Sequence, residues 1–144
     1  MMIGAARKLS DGKSIGVDVW NAEDMLNNSL DRTLKNAKLE GVVDRVEVKS
    51  EDARSMSFPD ASFDVVLSNL CIHNIISREG RRKACREIAR VLKPNGVAII
   101  SDVMFTGLYR EVFEKEGLKV TVDTAPLRES CMPNHRTVTA MKAA

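Results

Sequence analysis

Apolar positions in this chain come in two kinds of block. Short dense runs at Ser14–Val19, Phe63–Leu70 and Val97–Ser101 have the length and character of strands buried on both faces. Arg45–Ser50 alternates instead, with Val46 and Val48 on one side. Between these runs, apolar residues recur at helical spacing: Leu26, Leu30, Leu34 and Ala37, then Ala84, Ile88 and Val91, then Leu108, Val112 and Phe113. Ile3, Ala6 and Leu9 predict a further helix at the start.

The punctuation agrees with this division. Asn21 is the expected cap of the helix that runs through Ala37, and Gly41 its stop. Ser77 is placed to cap the next helix, and Lys93-Pro94-Asn95-Gly96 predicts its sharp end after about Leu92. Gly117 closes the third helix, and Leu118–Asp123 and Arg136–Lys142 follow as two alternating strands. Strands alternating with helices and then a closing strand pair predict one α/β domain over residues 1–144, its sheet mostly parallel with an antiparallel edge.

Composition narrows the class further. The chain has 144 residues, 44% of them hydrophobic and 29% charged, enough for one real core. A net charge of +2 gives no argument for nucleic acid, and the basic helix Arg78–Arg90 reads as a solvated face offset by Glu79 and Glu87. No run is long and apolar enough for a membrane span. Cys71, Cys85 and Cys131 show neither a metal-ligand spacing nor a paired framework, so reduced thiols, a cytoplasmic location and no metal site are expected.

Four segments carry a family resemblance: Ile15-Gly16-Val17-Asp18, Glu51-Asp52-Ala53 with Met56-Ser57-Phe58-Pro59-Asp60, Ser62-Phe63-Asp64-Val65-Val66-Leu67-Ser68-Asn69, and Ala89-Arg90-Val91-Leu92-Lys93-Pro94-Asn95-Gly96-Val97. In order and spacing the chain resembles class I S-adenosylmethionine (SAM)-dependent methyltransferases, most closely the small-molecule group typified by ubiquinone and menaquinone biosynthesis enzymes. The resemblance runs from about Ile3 to the end. It implies a Rossmann-like sheet, SAM as cofactor and a small-molecule methyl acceptor.

It also implies roles for particular residues. Asp18 matches the strand-end acid that accepts both ribose hydroxyls, a demand two carboxylate oxygens meet well; read alone, it is a solvated strand end. Asp52 matches the acid that receives the adenine amino group, with Ala53 offering a backbone N–H and Glu51 competing. Trp20 can pack on the adenosine face or belong to the core. Asn69 and His73 follow the strand whose end lines the active site in this family. Asn69 would orient a substrate or the donor, and His73 would act as a general base or else bond to backbone. Cys71 reads as a buried small residue rather than a nucleophile.

The pattern departs from the family in one place. None of the eight glycines forms a Gly-x-Gly pair, and Met2–Leu9 matches the helix that should follow the glycine-rich turn. The expectation is therefore a domain shortened before that turn and lacking the family's first, central strand. Its two flanking strands would then close on each other, a homodimer or strand-exchanged oligomer would satisfy them, or the missing piece of a split enzyme would do so, the homodimer being favoured. Two functions stay open: a SAM-dependent methyltransferase retaining its adenosine side, and a non-catalytic remnant of that fold serving as an oligomeric or binding module.

Overall fold

The computed structural model describes residues 1–21, 28–124 and 135–144. The chain divides into two compact units, Met1–Ala53 and Arg54–Ala144.

The first unit contains α1 (Met2–Ala6), β1 (Ser14–Asp18), α2 (Leu30–Leu39), a 3-10 turn at Val43–Arg45 and β2 (Val46–Ser50). β1 and β2 pair in parallel, and Asp18 stands opposite Ser50. A small core of Ala6, Ala37, Val42 and Val46 is covered by Met2 and Ile3. α1 ends sooner than Leu9. The cap of α2 is Ser29, whose hydroxyl accepts the Arg32 N–H at 3.3 Å, so the helix starts beyond the expected cap at Asn21; Leu26 lies outside the described residues. Gly41 does stop α2. At φ +67° it lets its own N–H reach Lys38 O at 3.1 Å and the Val42 N–H reach Ala37 O at 3.0 Å, a left-handed closure that a side chain would strain.

The second unit holds β3 (Phe63–Asn69), α3 (Arg78–Val91), β4 (Leu92–Asp102), α4 (Thr106–Lys115), β5 (Lys119–Thr124) and β6 (Arg136–Met141). Its sheet has the order β3-β4-β6-β5. β3 and β4 run parallel, while β6 is antiparallel to both β4 and β5. Ser77 caps α3 as expected, accepting the Gly80 N–H at 3.0 Å. One sheet face buries Ala98, Ile100, Val138 and Ala140; α3 contributes Ala84, Cys85 and Ile88 to the core of this unit, and α4 contributes Tyr109, Val112 and Phe113. Arg90 straps the segment before β3 to the end of α3, donating to Phe58 O at 2.8 Å, Asp60 Oδ1 at 2.7 Å and Met56 O at 3.1 Å.

Two expectations change here. The helix stops before Lys93–Gly96 as expected, but the strand expected from Val97 starts sooner: β4 already pairs Leu92 with Phe63, then bulges so that Val97 meets Val65. Asn95 at φ 63° makes the bend possible, and its N–H bonds Lys142 O at 3.2 Å. β3 is not buried on both faces, since Val65 and Leu67 are 50% and 41% exposed. Among the described residues it pairs with one strand, and these two side chains stay exposed, so a fully apolar run need not be a central strand. Finally, each sheet has its own pairing: among the described residues β1 pairs with β2, and β3 with β4.

Candidate functional site

Parallel pairing puts the carboxyl ends of β1 and β2 side by side, and there the first unit gathers its candidates. Asp18 ends β1, and Asp52 and Ala53 lie just past Ser50 at the end of β2, all half-buried. Asp18 Oδ1 accepts the Trp20 backbone N–H at 2.7 Å, and Oδ2 accepts an amide hydrogen of Asn28 at 3.1 Å. Trp20 has φ 56°, and its indole N–H donates to Ser50 Oγ at 2.8 Å. The indole thus bridges the two strand ends. Among the described residues each Asp18 oxygen has one protein donor, and a carboxylate offers about four acceptor positions in all. That is the chemistry a vicinal diol requires, so the residues fit the adenosine half of SAM.

The second unit gathers its own group at the ends of β3 and β4. Asn69 closes β3, exposed, in register with Ser101. Leu70 turns the chain at φ 51° and hangs its N–H on Ser101 O at 2.9 Å. The 3-10 turn Ile72–Asn74 follows, with Ile72 buried as its anchor. The turn carries His73 to Asp102, the last residue of β4. The His73 backbone N–H donates to Asp102 Oδ2 at 3.1 Å, and Nδ1 lies 2.5 Å from Oδ1. That contact is close, but its angle is not that of a hydrogen bond. Asp102 is fully buried, and it also accepts the Val103 N–H at 2.9 Å and the Tyr109 hydroxyl at 3.2 Å. Burial, and next the Asp102 charge, push the Tyr109 phenol well above its usual range, so it remains a donor.

Two functional partners were not read from the sequence. Asp102 had a signal, an acid directly after an apolar strand, the same position that singled out Asp18. Tyr109 had none. On the opposite side of the strand, Ser101 Oγ lies 2.7 Å from His135 Nε2 and 3.3 Å from Thr137 Oγ1. Cys71 is exposed, not buried as expected, while Cys85 is buried and its thiol is pushed up to about 12 by burial. Cys131 lies outside the described residues. The basic face of α3 is largely engaged: Arg82 pairs with Glu111 at 3.2 Å, Arg86 with Glu79, and Arg90 with Glu87 at 2.8 Å.

With this geometry in view, comparison with known proteins places the chain. The methyltransferase domain family matches residues 3–100, and the chain belongs to that family. An uncharacterized protein of Haemophilus influenzae is 30% identical over 105 residues, 72% of this chain and 41% of that protein. A ubiquinone/menaquinone biosynthesis C-methyltransferase of Vibrio campbellii is 34% identical over 89 residues, 62% of this chain and 31% of the enzyme. The chain therefore spans only about a third to two-fifths of the length of these relatives. Among solved structures, the [4+2]-cyclase SpnF superposes with a TM-score of 0.78 at 17% identity, covering 99% of this chain and 70% of the cyclase. A putative SAM-dependent methyltransferase of Listeria monocytogenes gives 0.71 at 18% identity, covering 99% and 85%. The fold is the Rossmann-like α/β fold of class I methyltransferases, whose cofactor is SAM. Among the described residues no helix is long and apolar enough to cross a membrane.

Proposed function

We propose that this chain supplies the adenosine-binding and acceptor-facing residues of a SAM-dependent methyltransferase that acts in the cytoplasm on a small molecule. The observation that carries the reading is the pairing of Asp18 with Ser50 across the β1–β2 ends, which sets Asp18, Trp20, Asp52 and Ala53 at one rim. Bound SAM supplies an activated methyl group. Asp18 accepts the ribose hydroxyls, Asp52 and the Ala53 N–H receive the adenine edge, and Trp20 lies along the adenosine. Asn69 orients the reactants, and His73 takes the proton that the acceptor gives up. Calorimetric titration with S-adenosylhomocysteine tests this. Asp18→Asn should weaken binding by about 1.5–3 kcal/mol, roughly ten- to a hundred-fold in Kd. The absence of any binding to the unsubstituted protein at millimolar ligand would end the reading.

A second reading draws on the SpnF likeness. A [4+2]-cyclase on the same fold means that the fold does not by itself dictate methyl transfer, and the chain has no Gly-x-Gly pair. A non-catalytic binding module is the form this alternative takes. In either case the second edges of β1 and β3, without a strand partner among the described residues, favour pairing with a second copy. Light scattering at micromolar concentration should give the mass of a dimer; a monomer mass counts against it.

A further inference from the structure

We propose that Asp102 is a positioning residue that holds the proton of His73 on Nδ1 and thereby leaves Nε2 as the basic atom of the ring. The geometry of the carboxylate argues this. Oδ1 faces the Val103 N–H and His73 Nδ1, and Oδ2 faces the His73 N–H and the Tyr109 hydroxyl. Four neighbours therefore crowd this carboxylate. Three of them are donors, and the fourth, Nδ1, stands 2.5 Å from a fully buried oxygen. Off the hydrogen-bond axis the carboxylate charge still attracts a hydrogen on Nδ1 and repels a bare lone pair there, so Nδ1 carries hydrogen. A neutral ring then has its lone pair on Nε2.

Exposure points the same way. Nδ1 is inaccessible to solvent, yet the side chain as a whole is 18% exposed. The accessible part of the ring is therefore the side away from Asp102. Among the described residues no protein group pairs with Nε2. An acceptor X–H meeting that atom keeps its bonding pair on X, while its proton moves to Nε2. The ring becomes imidazolium against a carboxylate already in place, and no buried group needs to reorganise. What the base is for rests on the methyl-transfer reading above; which nitrogen carries the proton does not.

The chain contains only two histidines, so ¹⁵N imidazole spectra can be assigned with His135→Gln. His73 should show a pyrrole-type Nδ1 and a pyridine-type Nε2 in the unsubstituted protein. In Asp102→Ala the ring should revert to the Nε2–H form, and carbethoxylation of His73 by diethylpyrocarbonate at neutral pH should slow about fivefold or more. Tyr109→Phe keeps the carboxylate and should keep the tautomer, which secures the test if Asp102→Ala fails to fold. A pyrrole-type Nε2 in the unsubstituted protein overturns the proposal. So does a His73 that resists carbethoxylation while His135 reacts, because Nε2 would then be closed off. Titration with S-adenosylhomocysteine reports separately on the methyltransferase reading.

Discussion

Arg81 lays its guanidinium carbon 3.7 Å from the centroid of the Phe105 ring. The same side chain, only 7% exposed, donates from Nη1 to the carbonyls of Ile75 and Ile76 at 2.5 and 2.9 Å. Phe105 follows Asp102 by three residues, and Ile75 follows His73 by two. One arginine of α3 therefore fastens both chain segments that flank the His73–Asp102 pair. Its substitution by alanine removes charge-assisted bonds and a cation–π contact together, an expected loss of about 2–4 kcal/mol in urea unfolding. Arg81→Lys should recover only part of this, since an ammonium cannot stack flat on the ring while reaching both carbonyls. Hydrogen exchange at Ile75 and Ile76 should quicken in both variants. Unchanged exchange there would remove the fastening role.

Gly96 and Gly16, two of the glycines with close neighbours, should lose stability to different extents on substitution by alanine. At Gly96 an added Cβ would sit 2.8 Å from Lys93 O and 3.2 Å from Asp64 O, both backbone atoms of the β3–β4 bulge. Neither can move without shifting a strand, so Gly96→Ala should cost about 1–3 kcal/mol. At Gly16 the nearest atom is Met2 Sδ at 2.5 Å, the far end of a flexible side chain that can swing aside. Gly16→Ala should stay under about 1 kcal/mol. Denaturant midpoints of the two variants measure the contrast, and equal losses would contradict it.

The thiols should separate by reactivity. Cys71 is exposed, whereas Cys85 is buried in α3 and its thiol is pushed up to about 12. The thiolate is the reacting form, so burial protects Cys85 twice, by access and by charge. Iodoacetamide at neutral pH followed by peptide mapping should find Cys71 labelled in the folded protein and Cys85 labelled only after unfolding. Rapid labelling of Cys85 would show that α3 opens locally.

Much of this architecture was legible because it is local. The Ser77 cap and the Gly41 stop act within a few residues, and strand-end acids such as Asp18 announce themselves by position. What escaped depends on partners far along the chain. His73 and Asp102 are 29 residues apart, and nothing in either neighbourhood states that the turn after β3 folds back onto the end of β4. Arg81 read as part of a solvated basic face, yet it lies at 7% exposure because its carbonyl acceptors and Phe105 come from two separate segments. Val65 and Leu67 misled in the other direction. Their run is apolar enough for a central strand, and only the strand order shows that, among the described residues, β3 pairs along one edge with these side chains exposed.

Acid should loosen the strap between α3 and the segment before β3. Glu87 is held below the ordinary carboxylate range chiefly by its bond from Arg90, helped by the Met56 N–H and opposed by partial burial. Arg90 reaches it through Nε and Nη2, each at 2.8 Å, and the Met56 N–H at 2.9 Å. The unfolded chain binds a proton at Glu87 near the free value of about 4.3, the folded chain only at lower pH. The stabilisation is therefore complete above that free value and is lost as pH falls through the lower folded one. Glu79, Glu111 and Asp64 shift the same way, but they lie at the surface, where water and salt screen such pairs. Glu87→Gln should accordingly be less stable than the unsubstituted protein at pH 7 and flatten the fall in stability between about pH 5 and 3. Urea unfolding across that range, repeated in 0.5 M salt, should leave most of the difference in place. A slope that is unchanged by Glu87→Gln would assign the acid sensitivity to the surface carboxylates instead.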